Sequence, residues 1–296
     1  MEGGTRVPEY SSGSANREGA VVQRVADLML SAPADVAADG DALTPVRVSE
    51  LIGADRREVS RVWRSVLVAW QERAHSVGWA EEVRRALLRL EGVATLREAS
   101  AAASHSHVVR HDAYGLTRAV VESSDETSLV WRRSGNQVLI ATVAAEPARD
   151  GHVVIDHAAE LRHVVSALLA GGEVVSTERL LHAVAISPEL RSLGHLTPGR
   201  LTALAAAMSP HVLSNRRGDL YLVGLRPAYA LTAISDSLSL GDASLEDVRR
   251  RVRGRFPGAS PLPGDAELRE LMRYTSSRTQ VPDLAPTRET GDVSGR

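Results

Sequence analysis

Apolar positions along this chain recur at helical spacing through most of its length and alternate only in short stretches. Ala20 to Leu30, with Val21, Val22, Val25, Leu28 and Leu30, predicts a first helix. Arg47 to Ile52 predicts a short second one. Gly53 then turns the chain, and Asp55-x-x-Glu58 is a capping box opening a long helix whose buried stripe is Val59, Val62, Trp63, Val66 and Trp70.

From Ala80 onward the pattern repeats. Each copy has a helix, a glycine, a short helix opened by Ser or Thr, a third helix and then a hairpin carrying Arg-Arg. The first copy begins with a helix from Ala80 to Glu91 that turns Val83, Leu87, Leu88 and Leu90 inward. Gly92, a helix opened by Thr95-x-x-Glu98 and a helix near Asp112 to Glu122 follow. Strands at Leu129 to Arg133 and Gln137 to Ala141 close the copy around Ser134-Gly135-Asn136.

The second copy begins with Ala158 to Ala170, with Leu161, Val164, Val165, Leu168 and Leu169 inward, and ends that helix at Gly171-Gly172. Ser176 opens its second helix, and Thr197-Pro198 supplies an N-cap and a first-turn proline to its third. Its strands, Val212 to Ser214 and Leu220 to Val223, flank Asn215 to Asp219. A third copy has helices at Ala228 to Leu238, after Ser244-x-x-Asp247 and at Asp265 to Tyr274, with no strand pattern beyond them.

Three helices followed by a hairpin is the winged-helix arrangement, and its repetition at domain spacing points to small modules in series. The expected fold is mainly α, made of serial helix-turn-helix and winged-helix modules with small two-stranded β-hairpins. The expected divisions are a disordered tail over 1–19, a helix-turn-helix module over 20–78 and winged-helix modules over 79–150 and 151–226. An incomplete helical module over 227–275 and a disordered tail over 276–296 complete the chain.

Charge adds little. The 35 basic residues nearly balance 37 acidic ones, so no overall field announces a nucleic-acid partner. All the basic residues are Arg, as a GC-rich coding sequence favours, and Arg is also suited to phosphate and base edges. Cysteine is absent, which excludes disulfides and thiolate metal sites. With aromatics at 3%, the cores must be built from Leu, Val and Ala. No signal-peptide pattern and no apolar run of membrane-spanning length is present, so the expectation is a cytoplasmic protein without a membrane partner.

Catalytic spacing is hard to find. With no Lys, a phosphate-loop or kinase lysine cannot exist, and no G-x-S-x-G elbow occurs. His105, His107 and His111 have metal-like spacing without accompanying carboxylates, and read as a histidine-rich loop. His152, His157 and His163 read as surface or helix-end residues, and Asp112 and Asp156 as caps. No catalytic residue, metal ligand or cofactor is expected.

The arginines are better candidates. Arg57, Arg61 and Arg64 share a face of the Asp55 helix and can meet phosphates or a major-groove edge. Arg132 and Arg133, and Arg216 and Arg217, belong to the two hairpins, where strand alternation sends neighbouring side chains to opposite faces. Arg250 stands in the densest basic run, Arg249 to Arg255. The competing reading is that these side chains simply solvate helix and strand surfaces among many carboxylates.

Ser244 to Leu271 reads Ser-Leu-Glu-Asp-Val-Arg-Arg-Arg-Val-Arg-Gly-Arg-Phe-Pro-Gly-Ala-Ser-Pro-Leu-Pro-Gly-Asp-Ala-Glu-Leu-Arg-Glu-Leu. This order of a helix, Arg-x-Arg-Phe-Pro, Leu-Pro and an acidic residue before x-x-Leu resembles the region C-terminal to the kinase domain in the PglW kinases. Those are the serine/threonine kinases of phage-growth-limitation (BREX-type) defence systems. The helix-turn-helix at Asp55 and the serial modules are similar to that region too, so the resemblance covers roughly residues 40 to 275. The kinase domain itself, with its Gly-rich loop, lysine and catalytic Asp, has no counterpart here, so no phosphotransfer is implied for any residue.

The resemblance implies a phage-defence setting with other defence proteins as candidate partners, and the arginine groups make double-stranded DNA a further candidate. The leading expectation is a non-catalytic nucleic-acid-binding or scaffolding component. A protein-interaction scaffold without DNA binding and a stand-alone transcription regulator are the alternatives.

Overall fold

The computed structural model describes residues 15–30, 44–104, 113–124, 129–134, 137–143, 150–235, 237–240 and 242–279. Of the tails expected over 1–19 and 276–296, residues 15–19 and 276–279 are helical instead, while 1–14 and 280–296, with His105, His107, His111, Asp112 and the turn residues Gly135 and Asn136, lie outside the described residues. The chain is mainly helical, with two small antiparallel sheets. Its residues divide into two compact units, 1–167 with 177–212 and 168–176 with 213–296. The stretch expected as the second module, 151–226, therefore contributes to both.

The first unit opens with three helices, α1 (Ala15–Leu30), α2 (Pro45–Ile52) and α3 (Arg56–Ser76). The hydroxyl of Thr44 accepts from the amide of Arg47 to cap α2, and Gly53, at φ 65°, ends it in the left-handed region. The Asp55 carboxylate accepts from the amides of Arg57 and Glu58 at 2.9 and 3.2 Å and starts α3. Val25, Val48, Val59, Val62 and Trp63 make the shared core. Trp70 is only partly buried, with the Arg73 guanidinium 5.1 Å from its ring.

Next come α4 (Trp79–Arg89), β1 (Val93–Thr95), α5 (Leu96–Ala103), α6 (Ala113–Ser123), β2 (Leu129–Ser134) and β3 (Gln137–Thr142). The hairpin is part of a three-stranded sheet in the order β1-β3-β2, which corrects the two-stranded expectation. Val93 pairs with Ala141 and Thr95 with Leu139. Three residues directly after a helix carry no readable period, so only pairing with a distant strand reveals β1. Thr95 ends that strand and also caps α5 in a complete capping box with Glu98.

Leu88 is a second correction, since it is 70% exposed rather than inward. The buried stripe of α4 is Trp79, Val83, Ala86 and Leu87, and the next residue lies about 100° further round the helix. In the core beneath, Trp79 Nε1 donates to Thr117 Oγ1 at 3.0 Å, and the Thr117 hydroxyl donates in turn to Ala113 O.

Helices α7 (Gly151–Leu169), α8 (Thr177–Ile186) and α9 (Pro198–Ala207) follow. A 3-10 segment, Pro188–His195, separates α8 from α9 and was not expected from the sequence. Thr197 caps α9 and Pro198 fills its first turn.

Strand β4 (Val212–Ser214), which runs into the second unit, pairs with β5 (Leu220–Leu222), and Val175 also bridges Leu220. Helices α10 (Pro227–Ser235), α11 (Leu245–Arg255) and α12 (Asp265–Thr279) follow, the last continuing beyond the expected end at Tyr274. Tyr221 and Phe256 meet edge to face at 5.1 Å in a core completed by Leu231, Ile234, Val248 and Leu268. Gly258 sits against Leu213 and Tyr221 and its carbonyl accepts from Gly224 N, and a side chain there would have to displace the end of Leu213.

Candidate nucleic-acid interface

The helix α3 presents Arg57, Arg61 and Arg64 to solvent, on the face away from Val59, Val62 and Val66. Their spacing of four and three residues keeps them in one row. Arg64 Nε donates to Ser60 O of its own helix at 3.3 Å. The row begins at the helix N-terminus, where the aligned backbone dipoles also favour anions, although Asp55 already occupies that end.

The first hairpin divides its pair as strand alternation requires. Arg132 forms an ion pair with Asp156 of α7. Arg133 lies on the α6 side, where partial burial and then the charge of Arg118 push its guanidinium below its ordinary value. The two side chains do not face a common partner, and Asp156, expected as a cap, neutralises one of them.

Two arginines that sequence reasoning did not single out lie on α6 and α9. Arg118 of α6 is 3% exposed. Its Nε donates to Glu122 Oε1 at 2.8 Å, and its guanidinium lies 4.5 Å from the centre of the Trp63 ring of α3. Helix α6 is buried at Ala113 and from Gly115 through Val121. Arg200 of α9 is 7% exposed and reaches back to the stretch from α4 to α5, donating to Leu90 O at 3.0 Å, Val93 O at 2.7 Å and the Glu98 carboxylate at 2.6 Å. Beside it, Glu91 accepts from the amide and the hydroxyl of Thr197, both at 2.7 Å. Glu91 holds a left-handed backbone at φ 57°, uncommon for a residue with a side chain. A lone arginine within an otherwise apolar helix was the available signal for both positions.

In the second unit the basic run of α11 is dispersed among partners. Arg249 pairs with Asp265 at 2.7 Å, and Arg250, 74% exposed, pairs with Asp247 one turn earlier on its own helix. Arg251 and Arg255 instead face the β4–β5 turn. That turn is held by Asn215, whose Oδ1 accepts from the amides of Arg217 and Asp219 at 2.8 and 3.1 Å. The buried carboxylate of Asp219 accepts from Asn215 Nδ2 at 2.8 Å and from Arg255 Nη2 at 2.9 Å, tying turn to helix. Arg216, Arg217, Arg251 and Arg255 then converge on one open cleft of about 330 Å3. Sequence reading had chosen Arg216, Arg217 and Arg250. The structure brings the first two together with different members of the same run.

Among the described residues, no group of three or more His, Asp or Glu side chains is arranged to hold a metal ion, and no helix is long and apolar enough to cross a membrane. In comparisons with protein-family models, curated proteins and solved structures, nothing matches this chain.

Proposed function

We propose that this chain is a non-catalytic scaffold of serial winged-helix modules whose third helices join the modules instead of reading a DNA groove. The element order helix, strand, helix, helix, strand, strand, with the sheet ordered β1-β3-β2, supports the module assignment. The observation that carries the scaffold reading is the burial of Arg118 and Arg200. A groove-reading helix must offer its polar side chains to base edges. Here the arginines of both third helices are spent inside the protein, on Trp63 with Glu122 and on Glu98 with two backbone carbonyls. By the resemblance of Ser244–Leu271 to the PglW kinases, the setting is cytoplasmic phage defence, with other defence proteins as partners.

A second reading rests on the exposed row Arg57, Arg61 and Arg64, which suits phosphate contact without base selection. Three such contacts give a salt slope of about −2.7, so a fourfold rise in salt weakens binding about 40-fold. Selection from a random duplex pool tests the leading reading: no sequence motif is enriched. Enrichment of a defined motif that disappears in Arg118→Ala or Arg200→Ala would overturn it. Fluorescence anisotropy across a salt series, with the triple variant Arg57→Ala, Arg61→Ala and Arg64→Ala, tests the second.

A further inference from the structure

Arg216, Arg217, Arg251 and Arg255 belong to two elements that a reading by modules would separate, a hairpin turn and the helix α11. The fold closes them around one cleft whose other polar lining is Asn215 and Ser237. Among the described residues no carboxylate lines it. Asp219 compensates Arg255, while Arg216 and Arg251 bring further positive charge to the same cleft, which an anion there would offset.

The cleft is organised before any ligand arrives. Asn215 fixes the turn from which Arg216 and Arg217 project, and Gly218, at φ 83°, allows its left-handed step. Arg255 is held from below by Asp219 and by Ala233 O, and its guanidinium lies 5.3 Å from the Phe256 ring centre. Its Nη1 and Nη2 are used there while its Nε is buried without a partner, so it contributes mainly positive field. Arg251, one helical turn earlier, uses Nη1 on Ser237 and also lines the cleft. Arg216 and Arg251 have no carboxylate partner among the described residues, in contrast to Arg249 and Arg250 on the same helix.

The chemistry of the ligand follows from what lines the site. Planar arginine forks match phosphate oxygens bidentately. The aromatic rings nearby, Tyr221 and Phe256, are buried at 0% and 1% exposure and offer no face for a base to stack on. The volume lies near the lower end of small-molecule sites, about 300–1,000 Å3, and the cleft is open on one side. We propose that this cleft between the β4–β5 turn and α11 is a phosphate-binding site that recognises phosphate oxygens and not the group they are attached to. This goes beyond the scaffold reading and does not depend on it.

The test uses the full chain with inorganic pyrophosphate as the probe in isothermal titration calorimetry, and a fluorescein-labelled duplex as the second arm. Wild-type protein binds pyrophosphate. The double variant Arg216→Ala with Arg251→Ala binds it about tenfold more weakly or worse, while its melting temperature shows that it remains folded. Arg251→Lys keeps the charge but loses the fork, and recovers only part of the affinity. The triple variant of Arg57, Arg61 and Arg64 binds pyrophosphate like wild type, which separates this site from the α3 row. Displacement of the duplex by pyrophosphate assigns the phosphate to a nucleic-acid backbone. Pyrophosphate binding without such competition assigns it to a free phosphate ligand. Absence of pyrophosphate binding to wild type, or equal binding by the folded double variant, overturns the proposal.

Discussion

Arg200 and Glu98, 102 positions apart in the chain, form a two-point ion pair with Nη1 to Oε1 at 2.6 Å and Nη2 to Oε2 at 3.2 Å. The carboxylate of Glu98 also accepts from the amide of Thr95 at 2.9 Å, so one side chain serves both the cap of α5 and the anchor of α9. Around it, Leu90 O, Val93 O and Glu91 complete a joint in which nearly every polar group has a partner.

Removing one member of that pair strands the other. Glu98→Ala leaves a buried guanidinium without its counter-charge and opens the capping box, with an expected loss of about 3–5 kcal/mol in urea unfolding. Arg200→Ala should lose a similar amount, and the double variant less than the sum by about 1–3 kcal/mol. Strict additivity would mean that the two side chains act independently, against the geometry.

Arg118 tests the same logic at α6. Arg118→Met removes both the contact with Trp63 and the partner of Glu122, and should destabilise by about 3 kcal/mol. Adding Glu122→Leu to it should recover much of the loss, since no uncompensated charge then remains buried. A single variant as stable as wild type would show that the stacked ion pair contributes nothing.

Thr117→Val preserves shape while deleting the acceptor of the Trp79 indole. Both residues are fully buried, so the N–H is left without a partner and the expected cost is about 1–3 kcal/mol. Thr117→Ser keeps the hydroxyl and should cost clearly less. If Val and Ser variants melt at the same temperature, the hydrogen bond is not what stabilises this contact.

His157 makes the first unit sensitive to acid. Its Nδ1 accepts from the amide of Ser192 at 3.1 Å, and burial lowers its affinity for a proton, partly offset by the Glu189 carboxylate. Because the folded-state value lies below that of the unfolded chain, the unfolded state binds the extra proton first. The contribution is therefore complete above the unfolded value near 6.5 and is lost as pH falls from there through the folded value. Melting temperature should drop between pH 7.5 and about 5 by more in wild type than in His157→Gln. Equal slopes would remove His157 from the account.

Local features were legible because they depend on neighbours in sequence. The caps at Asp55, Thr95, Thr197 and Ser244, the left-handed Gly53 and the stripe of α3 all arise from groups within one or two helical turns. The mainly helical class follows from the same short-range periodicity. Exposure of the arginines on α3 was also readable, since it is the complement of the apolar stripe.

Tertiary structure alone decided which charges were spent and which were gathered. Strand β1 exists because β3 pairs with it, and Arg200 is buried because α9 meets the Glu98 carboxylate and the carbonyls of Leu90 and Val93. Arg250 and Arg251 are adjacent in the same helix, yet one closes on Asp247 and the other faces the cleft. Side-chain chemistry does not distinguish them. The 100° between successive helical residues, together with the packing that turns one face toward the β4–β5 hairpin, does.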